Sequence, residues 1–236
     1  MNNEAYGAES PKRNDYDGID LSHHNGNIQW SKVKKHHSNI KFVYLKASEG
    51  WSHVDRKFHD NVESARAQGF KVGAYHFFNL SKEASVQFEN FQLEIDNETL
   101  DLLPVVDFEL LDEYAASVGR KKAIKVVDEL VEFCRLVKKR YGRFPMLYTN
   151  EHLYNKYLAS YKPKRCGDVL DKGFKALHLF IASYSGEPQL VDGAKYTIWQ
   201  YSERGTLKGI SEKVDLNKFH SSKNINSITF TKKRRK

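Results

Sequence analysis

A chain of 236 residues with 40% hydrophobic content and 14 glycines against 5 prolines is long enough for one sizeable core, two smaller ones or a single α/β barrel. No apolar run approaches the roughly 18 to 20 residues that cross a bilayer, and Met1 to Asp15 lacks the hydrophobic stretch of a signal peptide, so a soluble chain with no membrane span is expected. The formal charge is +8, but Lys232 to Lys236 supply five of those charges, and with only +3 on residues 1–231 and no recognisable motif, a nucleic-acid partner is not expected.

In chain order, residues 1–15 read as a flexible lead-in, and order begins at Tyr16 to Ser22, a short strand with Asp20 at its C-terminal end. His23 to Asn27 is turn chemistry, and its two histidines read as loop residues near a site, since no second cluster stands at metal-ligand spacing. A short helix is predicted over Trp30 to His37. A nearly continuous apolar strand follows from Ile40 to Lys46, as expected where helices cover both faces. Lys46 and Glu49 read either as an ion pair or as part of a rim. Phe58, Val62 and Ala65 mark a helix over Asp55 to Gln68 that Gly69 ends. In the strand Val72 to Phe78, Tyr75 and Phe77 share one face, as a sugar-stacking wall or as core aromatics.

A helix from about Lys82 to Asp96, with Ser81 as its N-cap, leads into Pro104 to Glu109. That apolar strand ends in two acids. Alternation points Asp107 and Glu109 the same way, with Cα atoms roughly 6.5 to 7 Å apart, and Phe108 the other way. Ala123, Val127, Leu130, Cys134, Val137 and Tyr141 then give the clearest amphipathic helix, closed by Gly142. A strand over Pro145 to Asn150 and a short helix over Glu151 to Ala159 follow. Tyr161 to Gly173 is a connection, and three strands without intervening helices are predicted at Leu177 to Tyr184, Tyr196 to Tyr201 and around Lys213 to Leu216. Cys134 and Cys166 lack metal spacing, so neither a disulfide nor a zinc site is expected.

Five strand-helix units followed by three strands describe a modified TIM-like barrel, (β/α)5(β)3, as one catalytic domain over residues 16–221 with a basic tail from 222 to 236. In such barrels the chemistry sits at the C-terminal strand ends. Asp20, Tyr75, Phe77, Asp107, Glu109, Tyr148, Tyr184, Trp199, Gln200 and Asp215 all fall near predicted strand ends. Acids surrounded by aromatics compose a carbohydrate cleft, in which a carboxylic acid protonates the leaving oxygen and a second group supports the oxocarbenium-like centre. Mutual repulsion should keep one acid protonated to higher pH, and Glu109 is the expected donor.

Gly18 to Ser22, Leu45 to Gly50, Tyr75 to Phe77, Asp107 to Glu109, Tyr148 to Asn150, Trp199 to Tyr201 and Val214 to Asn217 together resemble the ordered motif series of glycoside hydrolase family 25, the Chalaropsis-type lysozymes, over about Tyr16 to Phe219. The resemblance implies hydrolysis of the β-1,4 bond between N-acetylmuramic acid and N-acetylglucosamine, with peptidoglycan glycan strands as partner and no metal or organic cofactor. It implies Glu109 as general acid, Asp107 as the carboxylate assisting the substrate's acetamido group, and Asp20 and Asp215 as the remaining cleft acids. Tyr75, Phe77, Tyr148, Tyr184, Trp199, Gln200 and Lys46 are expected to bind substrate. Phe180 stands where the family often has Trp, and Ser48 where Thr is common. A monomer acting on the cell wall is expected, extracellular or periplasmic although the chain carries no signal peptide. The alternatives are a wall-binding module without turnover and a chitinase-like hydrolase.

Overall fold

The structure is a computed structural model that describes residues 16–230; the predicted lead-in and the five terminal cations lie outside the described residues. Its elements are β1 (Gly18–Leu21), α1 (Trp30–His36), β2 (Phe42–Glu49), β3 (His53–Val54), α2 (Phe58–Ala67), β4 (Lys71–Phe77), α3 (Ala84–Asp96), β5 (Val105–Asp107), α4 (Leu111–Val118), α5 (Arg120–Tyr141), β6 (Met146–Asn150), α6 (Glu151–Leu153), β7 (Leu179–Ala182), β8 (Ile198–Gly205), β9 (Val214–Phe219) and α7 (Ile225–Ile228).

The sheet runs β1-β9-β8-β7-β6-β5-β4-β2, and the parallel β1–β2 pairing closes it into an eight-stranded barrel, with β3 hairpinned onto β2 outside the ring. The expected strand-helix barrel is therefore present. Seven barrel strands run parallel, whereas β9 is antiparallel to both β8 and β1. Asp215 consequently lies at the start of its strand, where its expected place was the end. Reversal of the strand still brings it to the same rim as the C-terminal ends of its neighbours.

Period-two alternation sorts the barrel residues. Phe42, Tyr44, Val105, Met146, Phe180 and Ile198 point inward and fill the lower barrel, while Ile19, Val43, Val106, Leu147 and Ile181 point outward beneath the helices. Room for the inner rings comes from glycine: a Cβ on Gly73 would stand 2.2 Å from Tyr44, and one on Gly18 2.2 Å from Phe42.

Several local expectations differ. α3 begins at Ala84, and its first amide is capped by the Glu129 carboxylate of α5 at 2.8 Å, so a tertiary contact replaces the expected Ser81 cap. A helix that periodicity did not reveal, α4, precedes α5, from which Gly119 at φ 85° divides it. The predicted helix over Glu151 to Ala159 is one α-helical turn followed by a π-helix over Tyr154–Leu158. Beyond residue 221 the chain is still packed. Ile228 and Phe230 are buried in the barrel floor, where the Leu103 N–H donates to the Ile228 carbonyl and the Phe230 N–H to that of Asp101.

Candidate active site

The parallel strands carry their inward-facing residues upward until apolar side chains give way to charged ones. On β1 the inward positions run Gly18, Asp20; on β2 Phe42, Tyr44, Lys46; on β5 Val105, Asp107. At this level a cavity of about 300 Å³ opens, lined by Asp20, Lys46, Tyr75, Phe77, Asp107, Glu109, Tyr148 and Asp215. Ser22, His24, Tyr44, Val105 and Phe180 complete its wall.

Asp107 ends its strand with its carbonyl accepting the Phe78 N–H at 2.8 Å, and the Phe108 N–H extends the ladder to the Tyr148 carbonyl at 2.9 Å. Phe108 is buried on the outer face, as alternation requires, and Glu109 returns to the cavity. Leu110 then takes a left-handed conformation, φ 60°, the sole non-glycine with positive φ among the described residues, and turns the chain into α4.

A hydrogen-bond chain orders one side of the cleft. Tyr148 and Tyr184 both donate their hydroxyls to Gln200 Oε1, at 2.9 and 2.7 Å, which leaves the Gln200 amide Nε2 to donate to Asp20 Oδ2 at 3.0 Å. Asn217 Nδ2 donates to the same oxygen at 2.9 Å. Asn217 closes the Val214 to Asn217 motif but was not among the expected site residues; it lies two residues from Asp215 on β9, and alternation places both on one face. On the opposite side Lys46 Nζ lies 2.7 Å from Glu49 and 4.9 Å from the Phe77 ring centre.

Burial pushes all four carboxyls of the cleft above the usual carboxylate range. Burial, with the Glu109 and Asp20 charges adding to it, pushes Asp107 well above the usual carboxylate range, and Lys46 opposes the shift. Burial raises Glu109 too, while the Tyr148 hydroxyl beside it pulls the other way. Burial and the neighbouring Asp20 push Asp215 up to about 9. Burial also raises Asp20, against the donors Asn217 and Gln200.

Trp199 is not part of this assembly. It faces outward from β8, one residue off from Gln200, donates its indole N–H to the Ser183 carbonyl at 2.7 Å and packs against the outer core. Tyr184 reaches the cleft through its hydroxyl from the rim. Of the two turn histidines, His24 lines the cavity and His23 is bound to buried Asp55 at 2.8 Å. His76, between inward Tyr75 and Phe77, faces the helices, stacks on Phe133 and is pushed down to about 3 by burial. Among the described residues no three His, Cys, Asp or Glu are grouped to hold a metal ion.

The sequence model described as Glycosyl hydrolases family 25 matches residues 19–210. The protein YegX of Escherichia coli O6:H1 strain CFT073 is 32% identical over 206 residues, covering 86% of this chain and 69% of YegX. Lysozyme M1 of Streptomyces globisporus is 31% identical over 212 residues, covering 87% of this chain and 68% of its own. Among solved structures, a family 25 glycosyl hydrolase from Bacillus anthracis superposes with a TM-score of 0.72 at 30% identity over 89% of this chain and 90% of that one. With motifs, barrel and acidic cleft in agreement, the chain belongs to glycosyl hydrolase family 25 and is a glycosidase of the muramidase type.

Proposed function

We propose that this protein is a lysozyme that cleaves the β-1,4 bond between N-acetylmuramic acid and N-acetylglucosamine in peptidoglycan, with net retention. One observation carries the mechanism. Asp107 lines the cavity, and its buried Oδ1 has no hydrogen-bond partner in the protein, so that oxygen is free to accept the N–H of a substrate 2-acetamido group. That bond orients the acetamido oxygen toward the anomeric carbon and disperses the positive charge that develops on the amide.

Glu109 stands one step further out, beyond the strand end and partly exposed, with its pKa raised, and is assigned the proton donor. In the first step the Glu109 carboxylic acid protonates the leaving glycosidic oxygen, the bond from the anomeric carbon to that oxygen breaks, and the acetamido oxygen forms the new bond in an oxazolinium ring. In the second, the Glu109 carboxylate takes a proton from water, which attacks the anomeric carbon and opens the ring. Two displacements restore the original configuration. Asp20 and Asp215 keep a shared proton beneath the reacting sugar, and Tyr75, Phe77 and Lys46 form the wall against which it rests.

Digestion of purified peptidoglycan by the wild type and by Glu109→Gln, with mass spectrometry of the reduced products, tests this reading. Muropeptides ending in N-acetylmuramic acid from the wild type, and almost none from the variant, are expected. A wild type that binds the wall and leaves it intact would favour a binding module. Cleavage of chitin in preference to peptidoglycan would favour a chitinase-like enzyme, and inverted product anomers would exclude the retaining route.

A further inference from the structure

Trp51 is 51% exposed on the hairpin between β2 and β3, at the same barrel end as the acids, because only Gly50 separates it from the C-terminal end of β2. The hairpin is not a loose loop. Gly50 turns the chain at φ 54°, its N–H donates to the Phe77 carbonyl at 3.1 Å, and Phe77 lines the cleft. Buried Asn90 of α3 holds it from below: Nδ2 lies 3.3, 3.0 and 3.1 Å from the carbonyls of Glu49, Gly50 and His53.

The adjacent loop, which follows β4, is held in the same way. Buried Gln87 accepts the Asn79 N–H at 2.6 Å through Oε1, and its Nε2 donates to the carbonyls of Asn79 and Lys82 at 3.1 and 3.0 Å. Gln87 and Asn90 are three residues apart, on one face of α3. Two amides on one helix face therefore fix two rim loops, and the loops bring Lys82 Nζ to 4.0 Å from the centre of the Trp51 ring. Lys82 makes no ion pair among the described residues, so its charge is available to a ligand.

We propose that Trp51 and Lys82 form an outlying glycan subsite, beside the Phe77 wall, for a carboxylate-bearing amino-sugar strand of the kind the proposed muramidase activity would cut. The free indole face stacks on the C–H face of a pyranose outside the cleaved pair, and the Lys82 ammonium meets a carboxylate that the strand carries. A rigidly held, half-exposed tryptophan loses little conformational freedom on binding, which suits it to hold a polymer.

The subsite rests on the muramidase reading but is tested apart from it, by measuring binding to insoluble sacculi together with KM and kcat on soluble glycan strands. For Trp51→Ala, weaker sacculus binding and a KM raised about fivefold are expected, with kcat within about twofold and Trp51→Phe recovering most of the loss. Lys82→Gln should raise KM about twofold on carboxylate-bearing strands and leave binding of chitin oligosaccharides unchanged. Equal KM and affinity for wild type and Trp51→Ala, on a wall that the wild type cuts, would overturn the subsite alone. A wild type that binds without cutting, and loses that binding in Trp51→Ala, would overturn the muramidase reading and keep the subsite. Failure of the wild type to bind would overturn both.

Discussion

Asp20 and Asp215 face each other across the antiparallel β1–β9 pair, directly opposed in register, and burial with the neighbouring Asp20 pushes Asp215 up to about 9, in line with the shared proton proposed for the pair. Asn217 and Gln200 donate to Asp20 and pull against the effect of its burial; that pull favours the charged form on Asp20 and the proton on Asp215.

This arrangement makes stability depend on pH in a definite sense. In the unfolded chain Asp215 loses its proton near pH 4, whereas in the folded chain it holds it to about 9. Between those values the folded state binds more protons, so the stabilisation is complete below the lower value and fades as pH rises through the upper one. Asp215→Asn cannot titrate and still offers Asp20 an N–H. It should melt about 2 to 4 °C above the wild type at pH 8, with the difference vanishing toward pH 4. Calorimetry across that range checks it, and a gap independent of pH would count against the shared proton.

Asp107→Asn keeps the shape of the side chain and removes the carboxyl that the proposed acetamido route needs. A fall in kcat of about 100-fold, with KM changed less than about threefold, is expected from steady-state kinetics on soluble glycan strands. A rise in KM alone would mean that Asp107 only binds.

Lys46 holds down the pKa values of both Asp107 and Glu109 by its charge. In Lys46→Met both rise, and an acid that must be protonated to act then stays active to higher pH. The basic limb of the kcat/KM profile should therefore move upward, by about half a pH unit or more. A limb that stayed in place would separate Lys46 from the titrating acid.

Gly73→Ala would push a methyl group into the Tyr44 ring, at 2.2 Å from it, where packing around the barrel axis leaves no escape. The expected loss is about 3 kcal/mol in urea unfolding, toward the upper end of overpacking costs. A change below about 0.5 kcal/mol would show that the ring can move aside.

Phe230→Ala tests whether the last described turn belongs to the barrel. Phe230 is buried in the lower core beside Tyr141, so a loss of about 3 kcal/mol is expected. An unchanged urea midpoint would favour a catalytic domain that ends at residue 221, as the sequence suggested.

Local rules made much of this protein legible from its residues. Alternation in Val105-Val106-Asp107-Phe108-Glu109 is a property of any strand, so the separation of the two acids from Phe108 needed no knowledge of neighbours. The amphipathic repeat of α5 and the succession of strands and helices announced the barrel in the same way. What only the tertiary structure decided depends on which strands meet. The reversal of β9 brings Asp215 and Asn217 to Asp20, two carboxyl groups 195 positions apart in sequence, and no local pattern encodes that pairing. Trp199 and Gln200 are adjacent in sequence, yet the pleat sends one to the outer core and the other to the acids. Glu129 capping α3, and Gln87 and Asn90 holding the Lys82 and Trp51 loops, read as ordinary helix residues until the fold places an unsatisfied backbone group beside each of them.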